Sequence, residues 1–132
     1  MSRSLIFVYG TLMQGECRHH ALHDQELVGI ARTQPSYRLV DCGTYPGLLE
    51  VVVTESDGSE ARGESVLGEV WAVTSECLVQ LDEVEGVDEG LYARRAIAMQ
   101  HEFADVCVEA YFYLPDASQL ATLPPDWRQR AR

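Results

Sequence analysis

The 132-residue sequence has no long hydrophobic run and few basic residues. The apolar run within residues 1–8 is far too short for the hydrophobic region of a signal peptide or for a membrane-spanning helix. Ten Lys and Arg residues stand against 21 Asp and Glu residues, so the formal net charge is −11. Nucleic acids and anionic membranes are bound mainly through basic side chains. We therefore expect neither partner, and we expect a cytoplasmic protein.

Signatures of several common sites are missing as well. The sequence has no G-x-S-x-G elbow, no glycine-rich phosphate loop and no C-x-x-C pair. His19 and His23 are spaced one helical turn apart, beside Cys17 and His20, but there is no H-E-x-x-H motif and no second ligand cluster follows. We expect a solvated helix face here and no metal. The cysteines are expected to be reduced, partly buried thiols: Cys17, Cys42, Cys77 and Cys107.

What is present is the composition of a folded domain, with 46% hydrophobic and 23% charged residues. We expect one domain over residues 1–132, with residues 118–132 as a C-terminal tail. Runs of β-branched and aromatic residues predict strands, and apolar residues at helical spacing predict helices. The predicted strands are residues 4–9, 36–41, 48–53, 66–73, 92–100 and 106–114, and the predicted helices are residues 16–26 and 75–85.

Most predicted strands follow one another in adjacent pairs, which is typical of antiparallel sheets. The expected fold is therefore α+β: a curved, mainly antiparallel sheet or small barrel of about six strands, flanked by two short helices. Alternation along the last strand places Tyr111 and Tyr113 on one face, with Ala110 and Phe112 on the other.

An acidic cluster closes the second predicted helix: Asp82, Glu83, Glu85, Asp88 and Glu89. Taken alone, it is typical of a charged helix end that continues into a loop. Carboxylates are nevertheless unfavourable at the negative end of a helix dipole. Crowding among them should also raise the pKa of Glu85, which is what a general base requires.

The first strand ends in a glycine turn, Tyr9–Leu12, which alone is equally compatible with a structural role. Together, the turn and the acidic cluster resemble the gamma-glutamylcyclotransferase-like family. Its members have Y-G-[TS]-L near the N-terminus and L-D-x-x-E-G before Y-x-R. The matching segments here are Tyr9–Leu12, Leu81–Gly86 and Tyr92–Arg94.

Further segments that resemble the family extend the likeness over nearly the whole chain: Tyr37–Leu48, Val66–Val73 and Pro125–Arg128. The segment Glu16–His23 departs most from the family pattern, since an Asn is expected there. The resemblance therefore leaves the leaving group of the reaction open.

The resemblance implies an enzyme that cleaves a gamma-glutamyl amide by attack of its own α-amine, releasing 5-oxoproline and a free amine. Glu85 matches the family's catalytic glutamate, the general acid–base. The turn formed by Tyr9, Gly10, Thr11 and Leu12 would bind the glutamyl α-carboxylate and carbonyl through main-chain amides.

Further residues receive roles from the same resemblance. Tyr113 matches a tyrosine that faces the pocket, although a core role is nearly as compatible, and Tyr45, Tyr92 and Arg94 would support the catalytic loop. No cofactor or metal is implied, and the partner is a small gamma-glutamyl compound. Its leaving amine could be an amino acid, a glutathione-like peptide, the ε-amine of lysine or a carrier-bound amine; the negative net charge weakly favours a cationic one. The alternative is a non-catalytic ligand-binding or interaction module that uses the same pocket.

Overall fold

The computed structural model describes residues 3–51 and 63–129. In these ranges the chain forms seven strands and one α-helix: β1 Ser4–Val8, β2 Glu26–Arg32, β3 Tyr37–Asp41, β4 Pro46–Glu50, β5 Leu67–Val73, α1 Ser75–Val84, β6 Tyr92–Ala96 and β7 Val108–Tyr113. Short 3₁₀ helices cover His19–Leu22, Val87–Glu89, His101–Phe103 and Trp127–Gln129. No helix in the described part of the chain is both long and apolar enough to cross a membrane.

Five strands form one mixed sheet in the order β2-β5-β1-β7-β6. The central strand β1 pairs antiparallel with β5 and parallel with β7, and the two outer pairs are antiparallel. Strands β3 and β4 form a separate antiparallel hairpin. The predicted α+β class with mainly antiparallel strands is confirmed. A closed barrel is not, because within the described residues the hairpin is a separate two-stranded sheet and β2 and β6 are the outer strands of the larger sheet. An isolated bridge between Thr33 and Met99 connects the chain just beyond the ends of these two strands.

The core lies on both faces of the large sheet. Phe7 of β1 belongs to one cluster of buried apolar side chains, and Ile6 and Val8 belong to the other. Burial on both faces explains why β1 is a continuous apolar run in the sequence rather than an alternating one. In β7, Ala110 and Phe112 contact the first cluster whereas Tyr111 contacts the second, which confirms the predicted alternation.

The helix predicted over residues 16–26 is wrong. Only one 3₁₀ turn forms there, His19–Leu22, and Leu22 is its single buried residue. Asp24 then has a φ of 65°, in the left-handed region that a right-handed helix cannot contain. A segment with so few apolar residues cannot cover the core with a helical stripe, and most helical stability comes from such packing.

The strand β2, Glu26–Arg32, was not predicted from the sequence. It pairs antiparallel with β5, and a register shift between Leu27 and Gly29 interrupts its alternation. Such a bulge moves neighbouring side chains to the opposite face, so the period of two is lost from the sequence. The strand is also an edge, and its side chains are largely exposed.

The remaining elements follow the predictions, with most strands shorter than predicted. The helix α1 begins after Thr74, whose hydroxyl oxygen accepts a hydrogen bond from the Cys77 N–H at 3.2 Å, and it ends before Gly86. Two residues of the strand predicted over 48–53, numbers 52 and 53, lie outside the described residues. The four cysteines are free thiols, but Cys17 and Cys107 are exposed rather than partly buried.

Candidate active site

A small cleft opens where the chain leaves β1. Its empty space, counted to the open mouth, is about 350 Å³. The turn after β1, the β3–β4 hairpin, the end of α1 and the strands β6 and β7 all contribute to its wall. The lining residues are Phe7, Val8, Tyr9, Gly10, Thr11, Leu12, Arg18, Tyr45, Pro46, Glu85, Tyr92 and Tyr111.

The glycine turn is held by its carbonyl groups. The Gly10 oxygen accepts a hydrogen bond from the Met13 N–H at 3.1 Å, and the Thr11 oxygen accepts one from the Arg18 N–H at 2.8 Å. In the described part of the chain, no backbone oxygen accepts a hydrogen bond from the N–H of Thr11 or Leu12. Thr11 and Leu12 are buried residues of the cleft lining, so their N–H groups are candidate donors for an anion.

Close packing explains why the turn needs a glycine. A Cβ atom at position 10 would lie 2.6 Å from the side chain of Pro46 in the β3–β4 hairpin. Real side-chain contacts are not that short, so any larger residue would push the hairpin away from β1. Gly10 therefore sets the distance between two walls of the cleft.

His19, considered above as a metal ligand, supports the turn instead. Its Nδ1–H donates to the Leu12 carbonyl oxygen at 3.0 Å, and its ring packs 5.3 Å from that of Trp71. His23 lies 3.5 Å from the Asp24 carboxylate on the surface. Among the described residues, no three His, Cys, Asp or Glu side chains come together in a group able to hold a metal ion.

Tyrosine hydroxyls connect the walls of the cleft. The Tyr9 hydroxyl donates to the Tyr111 carbonyl oxygen and the Tyr92 hydroxyl donates to the Pro46 carbonyl oxygen, both at 2.6 Å. Burial raises the pKa of Tyr9 and of Tyr92 well above that of a free phenol. Both hydroxyls therefore stay protonated and act as donors that fix the cleft.

The rings of Tyr45 and Tyr113 both pack against that of Tyr92, with centroids 6.4 Å and 5.6 Å away. Tyr45 lines the cleft, whereas Tyr113 is not among the lining residues and makes an edge-type contact with the Tyr92 ring. A direct contact between Tyr113 and a substrate stays a prediction.

Glu85 is placed by the end of α1. Its N–H donates to the Leu81 carbonyl oxygen at 2.9 Å, and Gly86 follows with a φ of 64°, in the left-handed conformation typical after a helix end. The side chain is directed into the cleft, so that the residue is only 9% exposed.

Burial raises the pKa of Glu85 to about 7, because the ionised carboxylate loses hydration, and the positive charge of Arg18 partly opposes this rise. The expected rise is thus present, but its expected cause, crowding by other carboxylates, is wrong. Asp82 is one of those carboxylates, and its charge is offset by an ion pair with Arg94.

Asp82 anchors the end of α1 to the sheet. Its Oδ1 accepts a hydrogen bond from the Tyr111 hydroxyl at 2.6 Å and lies 3.4 Å from Nε of Arg94. Arg94 also lies 3.7 Å from the Glu109 carboxylate of β7. Arg94 is not among the cleft-lining residues, and its contacts connect α1 to β7. Its support of the catalytic loop stays a prediction.

The structure adds lining residues that the sequence reasoning missed, chiefly Arg18, Pro46 and Tyr111. Tyr111 was predicted to lie on the same face of β7 as Tyr113. Because Tyr113 was expected to face the pocket, this shared face was a signal that Tyr111 also lies near the cleft. Arg18 was hidden by the helix wrongly predicted over residues 16–26, which gave it a place on a solvated helix face. Its position follows from the turn that returns the chain to the cleft through the Arg18–Thr11 backbone hydrogen bond.

The family model described as gamma-glutamyl cyclotransferase, AIG2-like, matches residues 6–129 of the chain. A relative from Vibrio cholerae is 43% identical over 83 residues, which span 63% of this chain and 63% of the relative, less than two thirds of either. Human gamma-glutamylaminecyclotransferase is 34% identical over an alignment that covers 96% of this chain and 84% of the relative. The crystal structure of an AIG2-like protein from Mus musculus matches with a TM-score of 0.65 and 27% identity, covering 99% of this chain and 86% of that one. The chain belongs to the AIG2-like gamma-glutamyl cyclotransferase family.

Proposed function

We propose that this protein is a gamma-glutamyl cyclotransferase, an enzyme that cleaves a gamma-glutamyl amide to 5-oxoproline and a free amine. One observation carries the proposal: a buried Glu85 with a pKa of about 7 shares a small cleft with the Gly10 turn. A general acid–base works best when its pKa lies near the working pH. Membership of the family supports the same reaction class.

In the proposed reaction, the Glu85 carboxylate accepts a proton from the substrate's α-ammonium group. The freed amine attacks the γ-carbonyl carbon, which forms the new C–N bond of the five-membered ring and a tetrahedral oxyanion. When the oxyanion collapses, the bond to the leaving amine breaks and Glu85 returns the proton to that amine. The ring nitrogen then gives its surplus proton to Glu85, which passes it to the released amine, so that the amine departs as an ammonium ion and Glu85 is again a carboxylate. The protein only has to hold the glutamyl chain folded, because nucleophile and electrophile belong to one molecule.

The Gly10 turn is the proposed binding site for the negative charges of the glutamyl part. The available N–H groups of Thr11 and Leu12 supply donors for the α-carboxylate and the developing oxyanion. Fixed donors in a buried cleft are effective because they need no reorganisation during the reaction. Tyr9 and Tyr92 keep the walls in place through their hydrogen bonds to carbonyl oxygens.

The test is release of 5-oxoproline by the purified protein from a panel of gamma-glutamyl compounds. The panel contains gamma-glutamyl amino acids, glutathione, gamma-glutamyl-ε-lysine and gamma-glutamyl derivatives of simple amines. We expect turnover of at least one class. Calorimetry on the same compounds separates the alternative: binding without 5-oxoproline from any compound would contradict the proposal and favour a non-catalytic binding module.

A further inference from the structure

The rim of the cleft is formed by two of its lining residues. Arg18 and Tyr45 keep partial exposure, whereas the rest of the lining is buried. The guanidinium carbon of Arg18 lies 5.9 Å from the centroid of the Tyr45 ring. An aromatic face at this distance attracts a cation and restricts its movement. Arg18 is therefore a positioned group at the mouth of the cleft.

The charge of Arg18 is available to a ligand. Arg18 and Glu85 are the charged residues of the lining, and they do not form an ion pair with each other. Within residues 3–51 and 63–129, Arg18 has no acidic partner within 4 Å. A guanidinium group offers five N–H donors in a planar arrangement that matches a carboxylate.

The position of Arg18 indicates which part of a substrate it meets. The α-amine has to reach Glu85, which is 9% exposed, so the glutamyl part must occupy the buried end of the cleft. Thr11 and Leu12, whose N–H groups are the proposed donors for the glutamyl part, are buried residues as well. The leaving amine is then directed outward, past the rim.

We propose that Arg18 is a specificity-determining residue that binds a carboxylate of the leaving amine. This inference rests on the proposed function and narrows its substrate class to gamma-glutamyl amino acids and peptides. Gamma-glutamyl derivatives of neutral amines would lack the partner of Arg18, and those of cationic amines would meet a like charge.

The charge of Arg18 and the net charge of the molecule favour opposite kinds of leaving amine, and the nearby charge of Arg18 dominates. The net charge of −11 favours a cationic leaving amine when it is considered alone. At physiological ionic strength, however, exposed charges are screened over about 8 Å. A guanidinium at the rim acts within that distance, whereas most surface carboxylates do not.

The test compares gamma-glutamyl-alanine with gamma-glutamyl-alaninamide, which differ only in the carboxylate of the leaving group. We expect wild-type kcat/KM to favour gamma-glutamyl-alanine by about 10-fold or more, since a hydrogen bond to a charged group is worth at least that factor. Arg18→Gln should bring the ratio close to about 1. Arg18→Lys should retain part of it, because it keeps the charge but loses the planar fork.

The ratio is the informative quantity because Arg18 also acts on Glu85, an effect that both substrates share. Arg95→Gln is the matched control. Arg95 is an exposed residue of β6, and its replacement should leave the ratio of the two kcat/KM values as it is in wild type. A wild-type ratio near 1, or an Arg18→Gln variant that slows both substrates while keeping the ratio, would overturn the inference but leave the proposed function intact. Absence of 5-oxoproline from both substrates with wild type would overturn the proposed function and the inference with it.

Discussion

Glu83 and Glu85 lie two residues apart at the end of α1 and carry the same side chain in different environments. Glu83 is exposed to solvent, whereas Glu85 is buried in the cleft. The helix dipole acts on both, but burial acts on one and raises its pKa to about 7. Desolvation is thus what makes Glu85 suited to proton transfer at neutral pH.

Glu85→Gln should reduce kcat by at least about 10²-fold, the lower end of what a positioned acid–base group contributes. Glutamine has nearly the same shape and cannot accept the proton of the α-ammonium group. Steady-state release of 5-oxoproline measures the loss. Glu83→Gln is the control with the same change of charge, and it should be nearly silent; the reverse result would show that the wrong carboxylate was chosen.

The same substitution should also change the dependence of stability on pH. Glu85 has a pKa of about 7 in the native state against 4.5 ordinarily, so between these values the native state holds a proton that the unfolded state has lost. Wild-type stability therefore falls as pH rises through this window, and Glu85→Gln removes the fall. The gain in free energy of unfolding should be larger at pH 8 than at pH 5 by about 2 kcal/mol, and Glu83→Gln, at an exposed position, is the control.

The acid limb of the kcat/KM profile should lie at about pH 7, because the reaction needs ionised Glu85 and activity falls tenfold for each pH unit below its pKa. Arg18→Gln should move the limb to higher pH, since the charge of Arg18 stabilises the ionised form. Measurements of kcat/KM on one substrate from pH 5 to 9 give the position of the acid limb for wild type and for Arg18→Gln. A wild-type limb near 4.5 would mean that Glu85 is not desolvated in the working enzyme.

At the scale of elements, the parts of the site that local sequence determines were predictable. The strand β1 with its Gly10 turn, the helix α1 with its stop at Gly86, and the faces of β7 each depend on nearby residues. Their apolar period, N-cap and glycine all indicate the same structure. That Glu85 and the Tyr9–Leu12 turn share one site was expected from the family resemblance, because local patterns do not show which distant segments meet.

The elements that depend on distant pairing could not be predicted. The strand β2 is fixed by β5, some 40 residues away in sequence, and its bulge removes the alternating pattern. Whether a sheet closes into a barrel likewise depends on which edges meet, and no short segment encodes this. The position of Arg18 and the strand β2 were both missed for the same reason. Each lies in or beside the segment that was wrongly predicted to be helical.

Gly86 follows Glu85 directly after the end of α1, and Gly86→Ala should damage both stability and catalysis. Its φ of 64° costs a residue with a Cβ about 1–2 kcal/mol, and the new Cβ would lie 3.3 Å from that of Leu91. A backbone shift here moves Glu85, so kcat should fall by about 10-fold. Gly90→Ala is the matched control: Gly90 has a φ of 74° and open space around it, so it should lose stability but keep kcat. Equal kcat in the two variants would contradict a positioning role for Gly86.

At the scale of the whole molecule, the C-terminal segment is fastened to the loop that carries Arg18. Nη2 of Arg128 donates to the Gln14 carbonyl oxygen at 2.6 Å and to the Glu69 carboxylate at 3.2 Å. Glu69 is a buried residue of β5, and it also accepts hydrogen bonds from the Gln14 N–H and the Trp71 Nε1–H, each at 3.1 Å. A buried carboxylate with this many donors holds three separate parts of the chain together.

Arg128→Gln should therefore lower the free energy of unfolding by about 1–2 kcal/mol, measured by urea denaturation. The loss is smaller than that for a fully buried pair because the Arg128 side chain is 40% exposed and partly screened, whereas that of Glu69 is 3% exposed. Arg95→Gln removes the same charge from an exposed position and should stay within about 0.5 kcal/mol of wild type. If the pair matters, Glu69→Gln and Arg128→Gln will also be non-additive, since either substitution alone already breaks the contact. Additive effects, or an Arg128→Gln variant as stable as Arg95→Gln, would show that contacts other than this ion pair attach the C-terminal segment.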